Sequence, residues 1–136
     1  FLIKYKGGNP SAMRYADWGA NIVGMTILTS GDTIKKNPDL VKRFVRASVK
    51  SWEEAKKNPG AAVDAAMKVK PDINRQSTLD QLMVDIELLD SKNSKGKIGM
   101  GAQADWEQTL AILKNYRDLS TDKTWTTFHT NEFVPQ

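Results

Sequence analysis

Two aromatic rings and a carboxylate fall within one short stretch, Tyr15-Ala16-Asp17-Trp18, and Asn21 follows three positions later. A tryptophan offers a flat apolar face to a planar ring or an alkyl chain, and a carboxylate accepts hydrogen bonds from ring amines. Asp17 and Trp18 are therefore the leading candidates to line a binding cleft, with Tyr15 and Asn21 beside them. The competing reading makes Trp18 a core residue and Asp17 the cap of a turn. The binding role stays open beside it, since recognition residues concentrate in loops at the ends of regular elements.

Other groups capable of chemistry do not assemble into a reaction centre. His129 is the only histidine, and Glu132 is the only carboxylate at a usual ligand spacing from it. A metal site needs more donors than that, so His129 reads as a residue of the tail and no metal is expected. Glu53-Glu54 and Asp85/Glu87 are carboxylate pairs, but neighbours at those spacings on a helix point in different directions. They read as solvated helix surface. The loop Gly96 to Gly101 lacks the Lys-Ser/Thr ending of a phosphate-binding loop. There is no cysteine, which removes thiol catalysis, disulfides and thiolate-bound zinc. The expectation is a binding protein without cofactor, not an enzyme.

The elements that must position Tyr15 to Asn21 are read from periodicity. Phe1 to Tyr5 reads as the end of a helix and runs into the turn cluster Lys6-Gly7-Gly8-Asn9-Pro10. Ala12–Trp18 and Ile22–Thr29 read as extended. The second is nearly continuous and partly β-branched, as in a strand buried on both faces. Asn37-Pro38 and Asn58-Pro59 are helix starts, with Asn as cap and Pro in the first turn. Val41, Phe44, Val45, Ser48, Trp52 and Ala55 form the buried stripe of the first of these helices. The second carries the small residues Ala61, Ala62, Ala65 and Ala66, and Pro71 ends it. A third helix is expected from Arg75 to Leu89 with Leu79, Leu82, Met83, Ile86 and Leu89 on one face. A fourth begins near Asp105 with Trp106, Leu110, Leu113 and Tyr116 inward. The tail, Thr124 to Gln136, is expected to wrap back on the body.

A sheet this small cannot bury four amphipathic helices, so the pattern implies further strands outside this sequence. The chain has 136 residues, 40% of them hydrophobic and 26% charged, and a net charge of +4. The basic run Lys35 to Arg46 is interrupted by Pro38, Asp39, Leu40 and Phe44. On that composition nucleic acid is not an expected partner.

Four motifs in order carry a resemblance. Tyr15-Ala16-Asp17-Trp18-Gly19-Ala20-Asn21 resembles an aromatic-Asp-aromatic-Gly-x-Asn segment of the thiamine-pyrimidine, alkanesulfonate and taurine receptors of ABC importers. Asn37-Pro38-Asp39-Leu40-Val41-Lys42-Arg43-Phe44-Val45-Arg46-Ala47 is similar to their capped helix start. Trp52 followed by Asn58-Pro59-Gly60-Ala61-Ala62-Val63-Asp64 resembles its continuation, with Gly60 and Ala61 in place of the usual glutamates. Asp105-Trp106 and Thr130-Asn131-Glu132-Phe133-Val134-Pro135 are similar to the closing motifs.

The resemblance implies an α/β fold of the type II periplasmic-binding-protein kind, present as a helix-rich C-terminal fragment of a two-lobed protein. Residues 1–23 then finish the second lobe, 24–29 form a crossover strand at the hinge, and 30–136 form the helical C-terminal part of the first lobe. It implies an exported, periplasmic or extracytoplasmic receptor that carries a small organic solute, a pyrimidine or sulfonate or similar, to an ABC-importer permease. The N-terminal half of the same protein is then a partner, and the fragment alone is expected to self-associate through an exposed edge near Ile22 to Leu28. Two other classes stay open: a thiamine-pyrimidine-synthase-like enzyme of the same superfamily, and a free-standing helical interaction module.

Overall fold

The computed structural model describes residues 2–135. Phe1 and Gln136, the outer ends of the first and last expected segments, lie outside the described residues. Helices occur at α1 (Leu2–Tyr5), α2 (Gly31–Lys36), α3 (Pro38–Lys57), α4 (Pro59–Val69), α5 (Arg75–Glu87) and α6 (Gln103–Tyr116). Single 3₁₀ turns occur at Tyr15–Trp18 and Trp125–Thr127.

Local chemistry explains the boundaries. Ser30 caps α2 by accepting the Thr33 N–H at 3.0 Å. Pro38 and Pro59 sit in the first turns of α3 and α4, where a missing N–H costs nothing. Asn58 accepts the Ala61 N–H at 3.1 Å, and Asn74 accepts the Ser77 N–H at 2.8 Å. Asn37 stands at the cap of α3 but makes no side-chain cap bond. α4 stops at Val69, two residues short of Pro71, because a residue before proline is pushed out of helical geometry.

The helices pack in sequence, α2 on α3, α3 on α4 and α4 on α5, while α6 holds the Trp125–Thr127 turn. Val63 of α4 is the best-buried side chain, joined in the core by Val41, Val49 and Ala55 of α3 and by Leu110 of α6. Of the small residues expected to face a neighbour, Ala62 is half-buried while Ala61, Ala65 and Ala66 are exposed, so α4 packs chiefly through Val63. α1 is tethered to α5 by the Tyr5 hydroxyl, which donates to Asp80 Oδ2 at 2.5 Å.

Several expectations need correction. Ile22–Thr29 is not a strand, and no strand forms among the described residues. A strand is completed by hydrogen bonds to a neighbour, and no second extended run here offers an edge. The segment instead bends at Met25. The sheet that an α/β fold requires is therefore not formed by these residues. Ala12–Trp18 is not extended throughout, since its second half winds into the 3₁₀ turn. Phe44, Met83 and Tyr116, expected inward, are exposed by 59%, 47% and 78%. Each lies on the flank of its helix, and no neighbouring element reaches that flank. Val49, absent from the expected α3 stripe, is buried instead.

Exposed apolar groups run along the N-terminal arm: Met13, Tyr15, Trp18, Ile22, Met25, Ile27 and Leu28 all face solvent. Seven such residues within the sixteen positions from Met13 to Leu28 make this arm the most apolar exposed segment among the described residues.

Candidate functional site

The Tyr15–Trp18 turn is closed by backbone bonds. The Asp17 N–H donates to the Arg14 carbonyl at 3.1 Å, the Gly19 N–H to the Ala16 carbonyl at 3.3 Å, and the Ala20 N–H to the Tyr15 carbonyl at 3.0 Å. Gly19 stops it in a left-handed conformation (φ 86°), which side chains other than glycine's adopt only under strain.

Two bonds fasten this arm to α6. The Val23 N–H donates to Thr109 Oγ1 at 2.8 Å, and Gln108 Nε2 donates to the Gly19 carbonyl at 3.4 Å. The Thr109 hydroxyl in turn donates a hydrogen bond to the Asp105 carbonyl at 2.8 Å. A threonine that is only 6% exposed is thereby satisfied as both donor and acceptor. So α6 sets the position of the arm, and the turn projects the rings beyond it.

The structure brings Tyr15, Asp17 and Trp18 onto one turn, with Asn21 just past the glycine, and all four are exposed. Trp18 is 78% exposed and Tyr15 74%, so neither ring belongs to a core. Asp17 does not cap the turn; the residue at the cap position is Arg14. Its carboxylate instead meets the Arg14 guanidinium at 3.4 Å, an exposed pair of little energetic weight. The turn thus presents two ring faces beside a carboxylate and a guanidinium. Aromatic faces of this kind are chemically suited to stacking on planar groups, a carboxylate to accepting hydrogen bonds and a guanidinium to donating them. The grooves in the helical body are formed by other residues. One runs between α3, α4 and α5 with Trp52, Ala62, Ala66 and Leu82 in its walls, and one lies between α6 and the tail segment before Trp125.

A second ordered cluster lies in the tail, where only the fold-back was expected. His129 stacks on Trp106, with ring centroids 4.9 Å apart, and on Trp125 at 6.3 Å. The Asn131 side-chain amide clasps the backbone of one residue, Gly101. Its Oδ1 accepts the Gly101 N–H at 2.9 Å, and its Nδ2 donates to the Gly101 carbonyl at 2.8 Å. With Oδ1 so fixed as the acceptor, the contact from His129 Nε2 at 2.8 Å requires the proton on that nitrogen. A Cβ on Gly101 would collide with the His129 ring and come within 2.7 Å of Trp106 Nε1. His129 is therefore built into the packing of the tail. The signal was present in the sequence as Gly101 and Thr130-Asn131, but only the fold shows that they meet.

The Ser91 to Gly101 connector is ordered by the start of α6. Asp105 accepts from the Ser91 hydroxyl and from Asn93 Nδ2, the latter at 2.7 Å. Among the described residues, no group of three or more His, Asp or Glu side chains is placed to hold a metal ion. No helix among the described residues is long and apolar enough to cross a membrane.

Residues 2–62 match the family model described as NMT1/THI5 like, the family expected from the motifs. The match takes in the Tyr15–Asn21 turn and the starts of α3 and α4. It ends before α5, so the Asp105-Trp106 and Thr130–Pro135 motifs lie outside it. No curated protein matches the chain.

Proposed function

We propose that this chain is part of an extracytoplasmic solute-binding receptor, and that it serves an ABC importer without catalysing a reaction. The observation that carries the reading is the NMT1/THI5-like match over a stretch whose one aromatic turn stands free in solvent. In this reading Trp18 and Tyr15 stack on a small organic solute, a pyrimidine, a sulfonate or a similar molecule. Asp17 and Asn21 bond its edge. The arm from Gly24 to Thr29 crosses the hinge, and its exposed apolar side chains lie against the other half of the same protein. Without that half, the same arm is where copies of the chain self-associate. Receptors of this architecture close by hinge motion on the solute, and the closed form is what a permease reads.

A thermal-shift screen of the longer parent protein with pyrimidines, sulfonates, nitrate and aromatic carboxylates tests this. A solute at a hundred times its dissociation constant stabilises by about 2.7 kcal/mol. A shift that disappears in Trp18→Ala supports the reading. Turnover of the stabilising solute would overturn it in favour of a pyrimidine-synthase-like enzyme. A shift unaffected by Trp18→Ala and Asp17→Asn would remove the turn from the site.

A further inference from the structure

A groove of about 410 Å³ runs between α3 and α5, and α4 packs on both of these helices. That is the size of a small-molecule site. The wall from α5 is regular: Thr78, Gln81, Leu82 and Asp85 recur at intervals of three and four and share one face of the helix. α3 contributes Trp52 and Ala55 to the lining, and α4 contributes Ala62 and Val63. The polar groups are unevenly occupied. The Thr78 hydroxyl donates to the Asn74 carbonyl and the Ser51 hydroxyl to the Ala47 carbonyl, each at 2.8 Å. Gln81 and Asp85 make no side-chain hydrogen bond among the described residues, whereas Gln76 and Asp80 of the same helix are joined at 2.8 Å. The chain's ion pairs use the carboxylates of Asp17, Asp32, Glu54, Asp64 and Asp90, so Asp85 has no cation within 4 Å among the described residues. Its spacing from Glu87 marked Asp85 as solvated surface; it is instead half-buried, as is Trp52.

We propose that this groove is a binding site for a small organic cation, an ammonium group carried on an apolar body. Asp85 is the only ionisable side chain in the lining, so the charge there has one sign. Gln81 stands one helical turn before it, and its carbonyl oxygen supplies a second acceptor. The indole of Trp52 takes the apolar body on its face, and an indole face also attracts a cation. The alternatives fail on the same carboxylate. An anion would meet Asp85 with no cation in the lining to offset it. A neutral apolar ligand, or an apolar segment of another chain laid over the groove, would bury Asp85 unpaired, which is costly. A metal ion needs more oxygen ligands than one carboxylate and one amide supply. The site shares no residue with the Tyr15–Asn21 turn, and the inference holds whether or not the chain is a receptor.

Titration of the nitrogen-15-labelled chain with 2-phenylethylamine at neutral pH tests it, with 2-phenylethanol as the neutral counterpart and 3-phenylpropanoate as the anionic one. The four tryptophans give four indole N–H resonances, assigned by replacing each ring in turn. The Trp52 resonance is expected to shift saturably with a Kd at or below about 1 mM, and the alcohol and the carboxylate to bind at least about tenfold more weakly. Asp85→Asn keeps the shape of the side chain and weakens the amine at least about tenfold, through loss of a charge-assisted hydrogen bond. Asp72→Asn removes an exposed carboxylate outside the lining and leaves the affinity within about twofold. The Tyr15–Trp18 turn also holds a carboxylate beside aromatic rings, so Trp18→Ala is the second control and leaves the affinity within about twofold. Equal affinity for the alcohol, unchanged affinity in Asp85→Asn, loss of binding in Trp18→Ala, or no saturable Trp52 shift up to about 10 mM amine would each overturn the proposal.

Discussion

Asn131→Ala tests the tail clasp, and its size can be worked from the contacts. The side-chain amide makes three hydrogen bonds: two to the Gly101 N–H and carbonyl at 2.9 and 2.8 Å and one to His129 Nε2 at 2.8 Å. These are part-buried, so the alanine strands a backbone donor, a backbone acceptor and an imidazole N–H where water reaches them poorly. At about 1 kcal/mol for each bond, the loss is about 2–3 kcal/mol. For a chain of this length 1 kcal/mol moves the melting temperature by about 3–5 °C, giving a fall of about 6–15 °C. Asn131→Asp keeps an acceptor for the Gly101 N–H but cannot donate to its carbonyl, and falls between the two. Thermal unfolding followed by far-ultraviolet circular dichroism gives the midpoint, and tryptophan fluorescence reports the environment of Trp106 and Trp125 beside His129. If Asn131→Ala melts within about 1 °C of the wild type, the clasp does not hold the tail.

Gly101→Ala brings a methyl group into the His129 ring and toward Trp106 Nε1; overpacking of this kind costs about 1–3 kcal/mol and is read by the same melt. Val63→Ala removes part of the best-buried side chain and lowers stability by about 1–3 kcal/mol, visible in urea titration as a lower midpoint at unchanged slope. Asn58→Ala, which uncaps α4, costs about 1 kcal/mol. Trp18→Ala leaves the melting point of the unliganded chain within about 1–2 °C, because the ring is already in solvent. The acid limb of the stability curve has a definite sign. The hydrogen bond from Arg75 holds the Asp64 carboxyl below its usual range, that from Tyr5 does the same for Asp80, and that from Lys57 does so for Glu54. These groups contribute stability above the unfolded carboxylate range that is lost as pH falls through their lower folded values. The melting point therefore drops on acidification below about pH 4, and Asp64→Asn with Asp80→Asn makes the drop shallower.

What was legible in the sequence was local. Asn58-Pro59 marks the start of α4 because the asparagine oxygen and the preset proline φ act within one turn, needing nothing from the rest of the chain. The same holds for Asn37-Pro38, where the proline suffices even though the Asn37 side chain makes no cap bond. Asn74 has the same capping chemistry without a following proline to announce it. Tyr15 to Asn21 was legible as a group because its members are neighbours in sequence, while its geometry was not. Whether those residues extend or wind into a 3₁₀ turn depends on Gly19 and on the anchor to Gln108 and Thr109, nearly ninety residues away. The clasp of Gly101 by Asn131 is long-range in the same way.

The strand at Ile22–Thr29 shows why composition and structure part company at the arm. Val23, Met25 and Ile27 alternate with Ile22, Thr26 and Leu28, so both faces of an extended chain would be largely apolar. That is the pattern of an interior strand, and an interior strand needs a neighbour on each side. Here one N–H, that of Val23, finds a partner on α6. From Gly24 to Thr29 no backbone N–H finds an intramolecular acceptor among the described residues. The apolar groups of Met25, Ile27 and Leu28 stand in solvent at 64%, 49% and 87% exposure. Neither condition is stable against an available sheet edge, since pairing would satisfy the backbone and bury both faces together. Gly24 and the bend at Met25 let the arm stay open without such an edge. Apolar alternation alone therefore does not make a strand: without a neighbouring edge among the described residues, Gly24 to Thr29 stays an open arm.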